Sequence, residues 1–552
     1  MIEAPLKIHS LSSALSPARA KRALRHMLYG NPLYRLFLGG RVPGELRLAP
    51  PSYRLGYAEA GRGILDGTFI LAHHRIPLGE TPWSTPLQDH RQLTDLHSFS
   101  WLADLFATGS DEARARAGNL LCDWVEHNRK WQELSWRPDI LGERLCAWLA
   151  CYDFLTLNDE RTKSVLLEMA MVQTRHLGRC CAHAPDDART FKAIQGLIFA
   201  AVCLPGAESQ LDQGLSLLEK EIRAQVFPDG GHIERNPSRL LELLSRFNQI
   251  KALLVAAHIE MPAELQGALD RMPPMLRAFR HGDGGLALFN GGFEEDRQLV
   301  DTVLAESAVR GKALTSAPHS GFQRLAAGRT IIIAYTGKPP MEGGISAHAG
   351  TLSFEMSVGK DRLIVNCGAP SSEGDHWFQA MQATAAHSTL SADDKNSCEF
   401  KTDGSFLTSP QNTECIRREA GGSVWLETSH NGYRQNVGII HRRKFYLDAS
   451  GEDFRGEDII EGSGGKHFTI RFHLHPGVHA SQVQGRSAIL LKLAHGAGWQ
   501  FQASGGNIRL EESIYLSGHG EARRCEQIII SGPLHGDGAQ IKWRLRRIQS
   551  TT

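Results

Sequence analysis

From about Thr94 to Phe279 the apolar residues recur every three or four positions, the period of a helix that buries one face. LHSFSWLADLF, ARARAGNLLCDWVEHN, ILGERLCAWLACYDFL, KSVLLEMAMVQTRHLGRCC, FKAIQGLIFAAVCL, LDQGLSLLEKEIRAQVF and SRLLELLSRFNQIKALLVAAH each predict an amphipathic helix. Short punctuators such as SWRPD, APDD, LPGAE and FPDGG separate them. Helices of similar length on short loops predict an antiparallel helical array. With no strict repeat visible, an incomplete α/α toroid fits better than a solenoid.

Beyond about His319 the period falls to two. RTIIIAYTG, GTLSFEMSVG, DRLIVNCG, SVWLETS, GIIHRRKFYLD, HFTIRFHLHPG, AILLKLAHG, WQFQASG and EQIIISG are short, β-branched and bounded by Gly, Asn or Asp. They predict a large antiparallel β-sandwich. The expected organisation is an N-terminal extension over 1–60, a helical domain over 61–307 and the sandwich over 308–552. The Gly-rich stretch 281–307 serves as hinge.

Length and charge narrow the classes. The 552 residues exceed the roughly 250–300 that one core supports. Lys plus Arg number 61 against 60 Asp plus Glu, which predicts no global attraction to nucleic acid or an anionic membrane. An acidic ligand would have to be gripped by local cations. Ten cysteines without a CxxC pair read as buried reduced thiols in a reducing compartment. The N-terminus lacks the apolar core of a secretory signal, and no run of about 20 apolar residues predicts a transmembrane segment. Residues Ala18–Phe37 read as a basic amphipathic helix docked on the body. Taken alone, these features predict a cytoplasmic protein.

The most informative stretch is Ile345–Asp394, whose strands and turns carry His348 and His387 around an Asn-Cys-Gly corner. It resembles the C-terminal β-domain signature of the heparinase II/III-like polysaccharide lyases, as do HPGV and HRRKFYLDASGEDFRGED. The resemblance implies a helical toroid followed by a β-sandwich, an acidic polysaccharide or oligosaccharide as partner, and β-elimination as chemistry. It also makes a periplasmic or envelope location the alternative to the cytoplasm. Elimination needs a group that neutralises the uronate carboxylate, a base for the α-proton and an acid for the leaving oxygen. Each acid–base step contributes roughly 10²–10⁴-fold.

DGGHIERNPSRLLELL passes from a Gly-Gly turn into a helix, with Asn236 as N-cap and Pro237 at the first helical position. His232, Glu234 and Arg235 therefore sit at a loop-to-helix entry. Where similar lyases place a catalytic tyrosine, five residues after the glutamate, this chain has Arg239. A guanidinium binds carboxylates bidentately but makes a poor base. In place of the family's Asn-Asn-His cluster stands DDARTFKAIQG, offering Arg189 and Lys192.

The family pattern H-x-H-x-D-x-L-S-F reads here with Ser346 for the first histidine, His348 for the second and Gly350 for the aspartate. A later aspartate is Asn366, while His387-Ser388-Thr389 is intact. The resemblance implies a structural zinc on His348, Asn366 and His387, for which an amide is a weak ligand. Expected catalytic residues are thus His232, Glu234, Arg239 and His387; expected substrate contacts are Arg189, Arg235, Trp377 and Tyr433. Tyr433 and Tyr53 are spare phenols, and HGDG at 281–284 reads as turn chemistry.

Three functions follow from these residues: a lyase acting on a uronate-containing saccharide, a saccharide-binding or envelope-assembly protein that has lost elimination, and a hydrolase using paired carboxylates among Glu143, Asp229 and Glu234.

Overall fold

A computed structural model describes residues 25–548, apart from 32, 52, 185–186, 341–346, 371–375, 402–405, 484–487, 496–497 and 519–521. Ser346 and residues 18–24 of the expected N-terminal helix lie outside the described residues. The chain divides into two compact units, residues 1–71 with 75–217, and 72–74 with 218–552. No helix among the described residues is long and apolar enough to cross a membrane. All ten cysteines are free, and only Cys415 is exposed.

The first unit holds helices α1 (Ala58–Leu65), α2 (His90–Ser98), α3 (Leu102–Thr108), α4 (Asp111–Asn128), α5 (Pro138–Ala150), α6 (Glu160–Cys180) and α7 (Thr190–Cys203). The apolar period in LHSFSWLADLF predicts one helix, but the chain breaks between α2 and α3 at Phe99, which adopts φ 58°. The strain is offset by packing. The Phe99 ring lies 4.8 Å from Trp101, 5.4 Å from Trp148 and 5.5 Å from Trp83, centroid to centroid.

Helices α5 and α7 cross at a glycine pair. A Cβ on Gly196 would stand 2.3 Å from the Gly142 Cα, and one on Gly142 would stand 2.2 Å from the Lys192 carbonyl. Only hydrogen side chains permit this approach. Beside the crossing, the fully buried Arg144 donates to Gln173 Oε1 (3.0 Å), the His97 carbonyl (2.8 Å) and the Ser135 carbonyl (2.9 Å). Its guanidinium also lies 4.2 Å from the Trp124 ring centroid.

Helix α8 (Leu211–Gln225) runs across the boundary between the units. The second unit contains α9 (Pro237–Ala256), α10 (Ala263–Ala278) and α11 (Arg297–Glu306), followed by the sandwich. Its strands are β1 (Ser316–Ala317), β2 (Phe322–Ala327), β3 (Thr330–Tyr335), β4 (Phe354–Val358), β5 (Asp361–Val365) and β6 (Leu390–Ala392). After these come β7 (Thr413–Ala420), β8 (Ser423–His430), β9 (Ile439–Leu447), β10 (Asp453–Gly462), β11 (His467–Leu474) and β12 (His479–Gln482). The last are β13 (Ala488–Lys492), β14 (Gly498–Ser504), β15 (Asn507–Tyr515), β16 (Arg523–Pro533) and β17 (Ala539–Arg547).

One sheet has the order β7-β8-β9-β10-β17-β14-β13-β12 and the other β15-β16-β11-β5-β4-β3-β2-β1, with β6 also paired to β11. The helical and β halves expected from the change of period are both present. The β core is aromatic: Phe354 stacks on Trp543 at 5.7 Å with planes 3° apart, and Phe445, Phe454 and Phe472 close around them.

Within that apolar layer lies a buried charged cluster. Strand β9 alternates buried and half-buried positions, so His441, Arg443 and Phe445 share its inner face. Arg443 donates to both oxygens of Asp458 on β10, at 2.6 and 3.1 Å. Asp458 also accepts from Trp543 Nε1 (2.8 Å) and pairs with His441 Nε2 (2.7 Å). Burial alone would raise the Asp458 carboxyl, but the Arg443 charge and the His441 contact hold it well below the usual carboxylate range. The second arm of Arg443 donates to the Leu352 and Ser388 carbonyls, both at 2.9 Å.

Three outcomes test this packing. Arg443→Met leaves the Asp458 charge buried without its main partner, and should lower unfolding free energy by about 3–5 kcal/mol in denaturant titration. Gly196→Val forces α5 and α7 apart and should cost about 1–3 kcal/mol or more in the same measurement. The third concerns pH. His97 is pushed down to about 4 by burial and the Arg144 charge, and His176 to about 4 by burial and the Arg179 charge. Unfolded, both titrate near about 6.5. Stability is therefore full above that value and falls as pH drops toward 4, by up to about 1.4 kcal/mol per pH unit for each group. Calorimetry should show Tm falling through that window, with a shallower slope in His97→Gln.

Candidate functional site

The loop entering α9 is built as its sequence dictates. Asn236 Oδ1 accepts from the Ser238 and Arg239 amides at 2.9 and 3.1 Å, and its Nδ2 donates to the Asn290 carbonyl at 2.8 Å. Arg235 has φ 50°, and donates to the Ser320 carbonyl (3.1 Å) while its guanidinium covers the Phe227 ring at 5.1 Å. Asp229 grips the same serine through its amide (2.8 Å) and hydroxyl (2.5 Å). Arg235 and Asp229 thus fasten the loop to the entry of the β-domain.

His232 is buried, with Nε2 3.1 Å from Gln225 Oε1 and Nδ1 accepting the Glu234 amide at 3.3 Å. That network assigns the proton to Nε2, donating to Gln225. From here a chain of alternating charge runs along α9. Glu234 lies 4.0 Å from His232 Nδ1 and 3.7 Å from Arg239 Nε. Arg239 meets Glu242 at 2.7 Å, and Glu242 meets Arg246 at 3.0 Å. At the position of the expected phenol stands a half-exposed guanidinium between two carboxylates. It can orient and bind an anion, but it cannot abstract a proton.

On the β side, His348 and His387 come together as the sequence suggests, though as partners of each other. His387 Nδ1 donates to the Ala383 carbonyl at 2.8 Å, leaving Nε2 to accept from His348 Nδ1 at 3.2 Å. Both rings are buried. Burial and the neighbouring His387 hold His348 well below the ordinary imidazole range; burial brings His387 down to about 4 despite the Ala383 carbonyl. Gly350 stands where the family pattern implies an aspartate, and a Cβ there would lie 2.7 Å from His387 Cδ2.

The zinc implied by the family resemblance fits poorly with these residues. Asn366 spends its Nδ2 on the Leu288 carbonyl (3.0 Å) and its Oδ1 on the Ser388 amide (3.0 Å). The two imidazoles bond to one another, and no group of three His, Cys, Asp or Glu among the described residues could hold a metal ion. The set His348, Asn366 and His387 is a hydrogen-bonded corner.

The other expected contacts scatter. The Tyr433 ring is fully buried and its hydroxyl donates to the Leu390 carbonyl at 2.7 Å, which corrects its reading as a substrate contact. Trp377 packs half-buried against Cys367, Met381, Ala386 and Leu516. Arg189 belongs to the first unit and forms a bidentate pair with Asp187, at 2.6 Å for its closest contact. Tyr53 is likewise in the first unit, donating to Glu143 at 2.6 Å. Of the expected carboxylates, Asp229 is bonded to Ser320, Glu143 to Tyr53 in the other unit, and Glu234 lies beside His232 and Arg239.

A second polar cluster escapes the sequence reading. His281 bonds Glu355 Oε2 and Ser357 Oγ, both at 2.9 Å, and Asp283 holds Arg362 at 2.7 Å. Glu294 accepts from the Tyr515 hydroxyl and lies 3.7 Å from both Arg362 and His475. Burial would raise Glu294, but these donors bring it down to about 2. The available signal was the HGDG turn itself, whose His281 and Asp283 are anchors for β4 and β5.

Comparison with known proteins places the chain in a family and supports its fold. The model for the heparinase II/III N-terminus matches residues 82–309, and that for the heparinase II/III-like C-terminal domain matches 309–544. FtsZ-localized protein C of Caulobacter vibrioides is 30% identical over 547 residues, covering 94% of this chain and 93% of that protein. A heparinase III crystal structure covers 97% of this chain and 92% of its own at TM-score 0.74 and 14% identity. A heparan sulfate lyase mutant from Pedobacter heparinus covers 97% and 90% at TM-score 0.65 and 15% identity. Those two structures speak for the fold alone. With the two family models together matching residues 82–544 and a near-full-length relative alongside, the chain belongs to the heparinase II/III-like family.

Proposed function

We propose that this protein binds an acidic saccharide on a polysaccharide-lyase scaffold without cleaving it, in an envelope-assembly role. The observation that carries the reading is Arg239. In place of a phenol it puts a permanent cation, held between Glu234 and Glu242, at the loop-to-helix entry. Such a group neutralises a uronate carboxylate, the first requirement of elimination, and leaves the second unmet. The buried pairing of His348 with His387 supports the same reading, since neither imidazole faces solvent to accept a substrate proton. A near-full-length relative named for its localisation with FtsZ adds support for a role in assembly rather than polymer degradation.

The competing reading, elimination with a relocated base, rests on the 4.0 Å approach of Glu234 to His232. Incubation with heparan, hyaluronan, alginate, polyglucuronate and pectate, followed by the ultraviolet absorbance of the unsaturated uronate, separates the two. No product should form on any of them, while at least one acidic saccharide raises Tm. Product that disappears in His232→Ala or His387→Ala would establish a lyase. For the binding itself, Arg239→Ala should weaken a uronate oligosaccharide by about tenfold, the value of one charge-assisted hydrogen-bond pair, and flatten its salt dependence.

A further inference from the structure

The eight-stranded sheet carries a feature that the loop-to-helix site does not use. On its outer face an open groove of about 660 Å³ crosses β8, β9, β10, β17 and β14. Strand register sets its two rows. In one, Trp425 stands opposite Tyr446, Tyr446 opposite Arg455, Arg455 opposite Arg544 and Arg544 opposite Gln502. In the other, Lys444 stands opposite Glu457, Glu457 opposite Lys542 and Lys542 opposite Ser504. Phe445 and Trp543 alternate with these rows and turn inward to the core, so the outer face owes nothing to core packing.

Two properties of the groove point to a ligand. Trp425 is 41% exposed although it is the largest apolar side chain available, and its ring lies 5.0 Å from Tyr446 at 44°. Arg455 lies 5.5 Å from the Tyr446 ring centroid. The charges are also unbalanced. Arg455 and Arg544 share the single carboxylate of Asp453, at 2.5 and 2.6 Å. Lys444 and Lys542 share Glu457, at 3.4 and 3.7 Å. Glu427 closes the second row opposite Lys444, so the excess of positive charge lies in the first row, where Arg455 and Arg544 share one carboxylate beside the aromatic platform.

We propose that this groove is a second saccharide site, taking an acidic glycan strand laid across the sheet. The Trp425 and Tyr446 rings offer apolar faces to pyranose rings, and the four cations offer paired donors to carboxylates or sulfates. Five strands at about 4.8 Å spacing give the groove a length of about 19 Å, room for several sugar rings. The inference does not depend on the loop-to-helix reading, because the residues are different.

The test is a titration of the full chain with a polyglucuronate oligosaccharide, followed by calorimetry and tryptophan fluorescence, with a poly-glutamate peptide in a parallel arm. Trp425→Ala and Lys542→Glu should each weaken oligosaccharide binding by about tenfold or more and remove the fluorescence change. Both substitutions lie on the outer face, and unchanged thermal unfolding verifies that the sandwich is intact. Arg239→Ala is the internal reference. Binding sensitive to Arg239→Ala and indifferent to Trp425→Ala overturns the groove and leaves the other site standing; the reverse pattern supports the groove and removes the other. Poly-glutamate binding as tightly as the saccharide, without loss in Trp425→Ala, overturns it as a charge effect. Absence of any saccharide-dependent fluorescence change overturns it as well.

Discussion

The Arg443–Asp458 pair holds the β-domain in register with its histidine corner. Two charges in an apolar layer are tolerable only when every donor and acceptor is used. Asp458 meets that condition with Arg443, His441 and Trp543, three residues from two neighbouring strands. The remaining arm of Arg443 then takes the carbonyls of Leu352 and Ser388, which flank Gly350 and His387. A core ion pair thereby fixes where the histidine corner sits. This also explains why HRRKFY keeps polar residues where an inward-facing strand would ordinarily place Val or Ile.

Around that corner, the replaced residues are mutually consistent. An aspartate cannot stand at 350 while His387 occupies its present place, and Asn366 satisfies two backbone groups that a carboxylate could not satisfy together, because one of them is a carbonyl acceptor. Where the family resemblance implies a ligand set, this chain has a hydrogen-bond network. On the loop, the alternating pairs from Glu234 to Arg246 hold a fixed cation where the family resemblance implies a tyrosine.

Much of the fold was legible in the sequence because its signals are periodic. Asn236 with Pro237 gave the start of α9, and RTIIIAYTG, DRLIVNCG and GIIHRRKFYLD each fall on a strand. The misses share a cause. TECIRREA, DFRGEDIIEG, NIRLEESIY and AQIKWRLRR are strands whose outer faces carry charge, so a search for β-branched apolar runs passes over them. Phe99 broke a helix because aromatic packing outweighed local period. In the site, the meeting of His348 with His387 was legible from the motif, and so was the missing phenol. Burial of Tyr433 was not, since the sequence cannot say which side of a turn a phenol takes, and HGDG hid its anchoring role behind turn residues.

At the histidine corner His348 and His387 form a neutral hydrogen-bonded pair. Long-range proton–nitrogen NMR of the imidazoles, recorded with and without added zinc, tests it most directly. Neutral rings are expected for His348 and His387, both protonated at Nδ1, with nitrogen shifts unchanged by zinc near neutral pH. Zinc-dependent shifts at both rings, or a charged imidazolium at neutral pH, would contradict it.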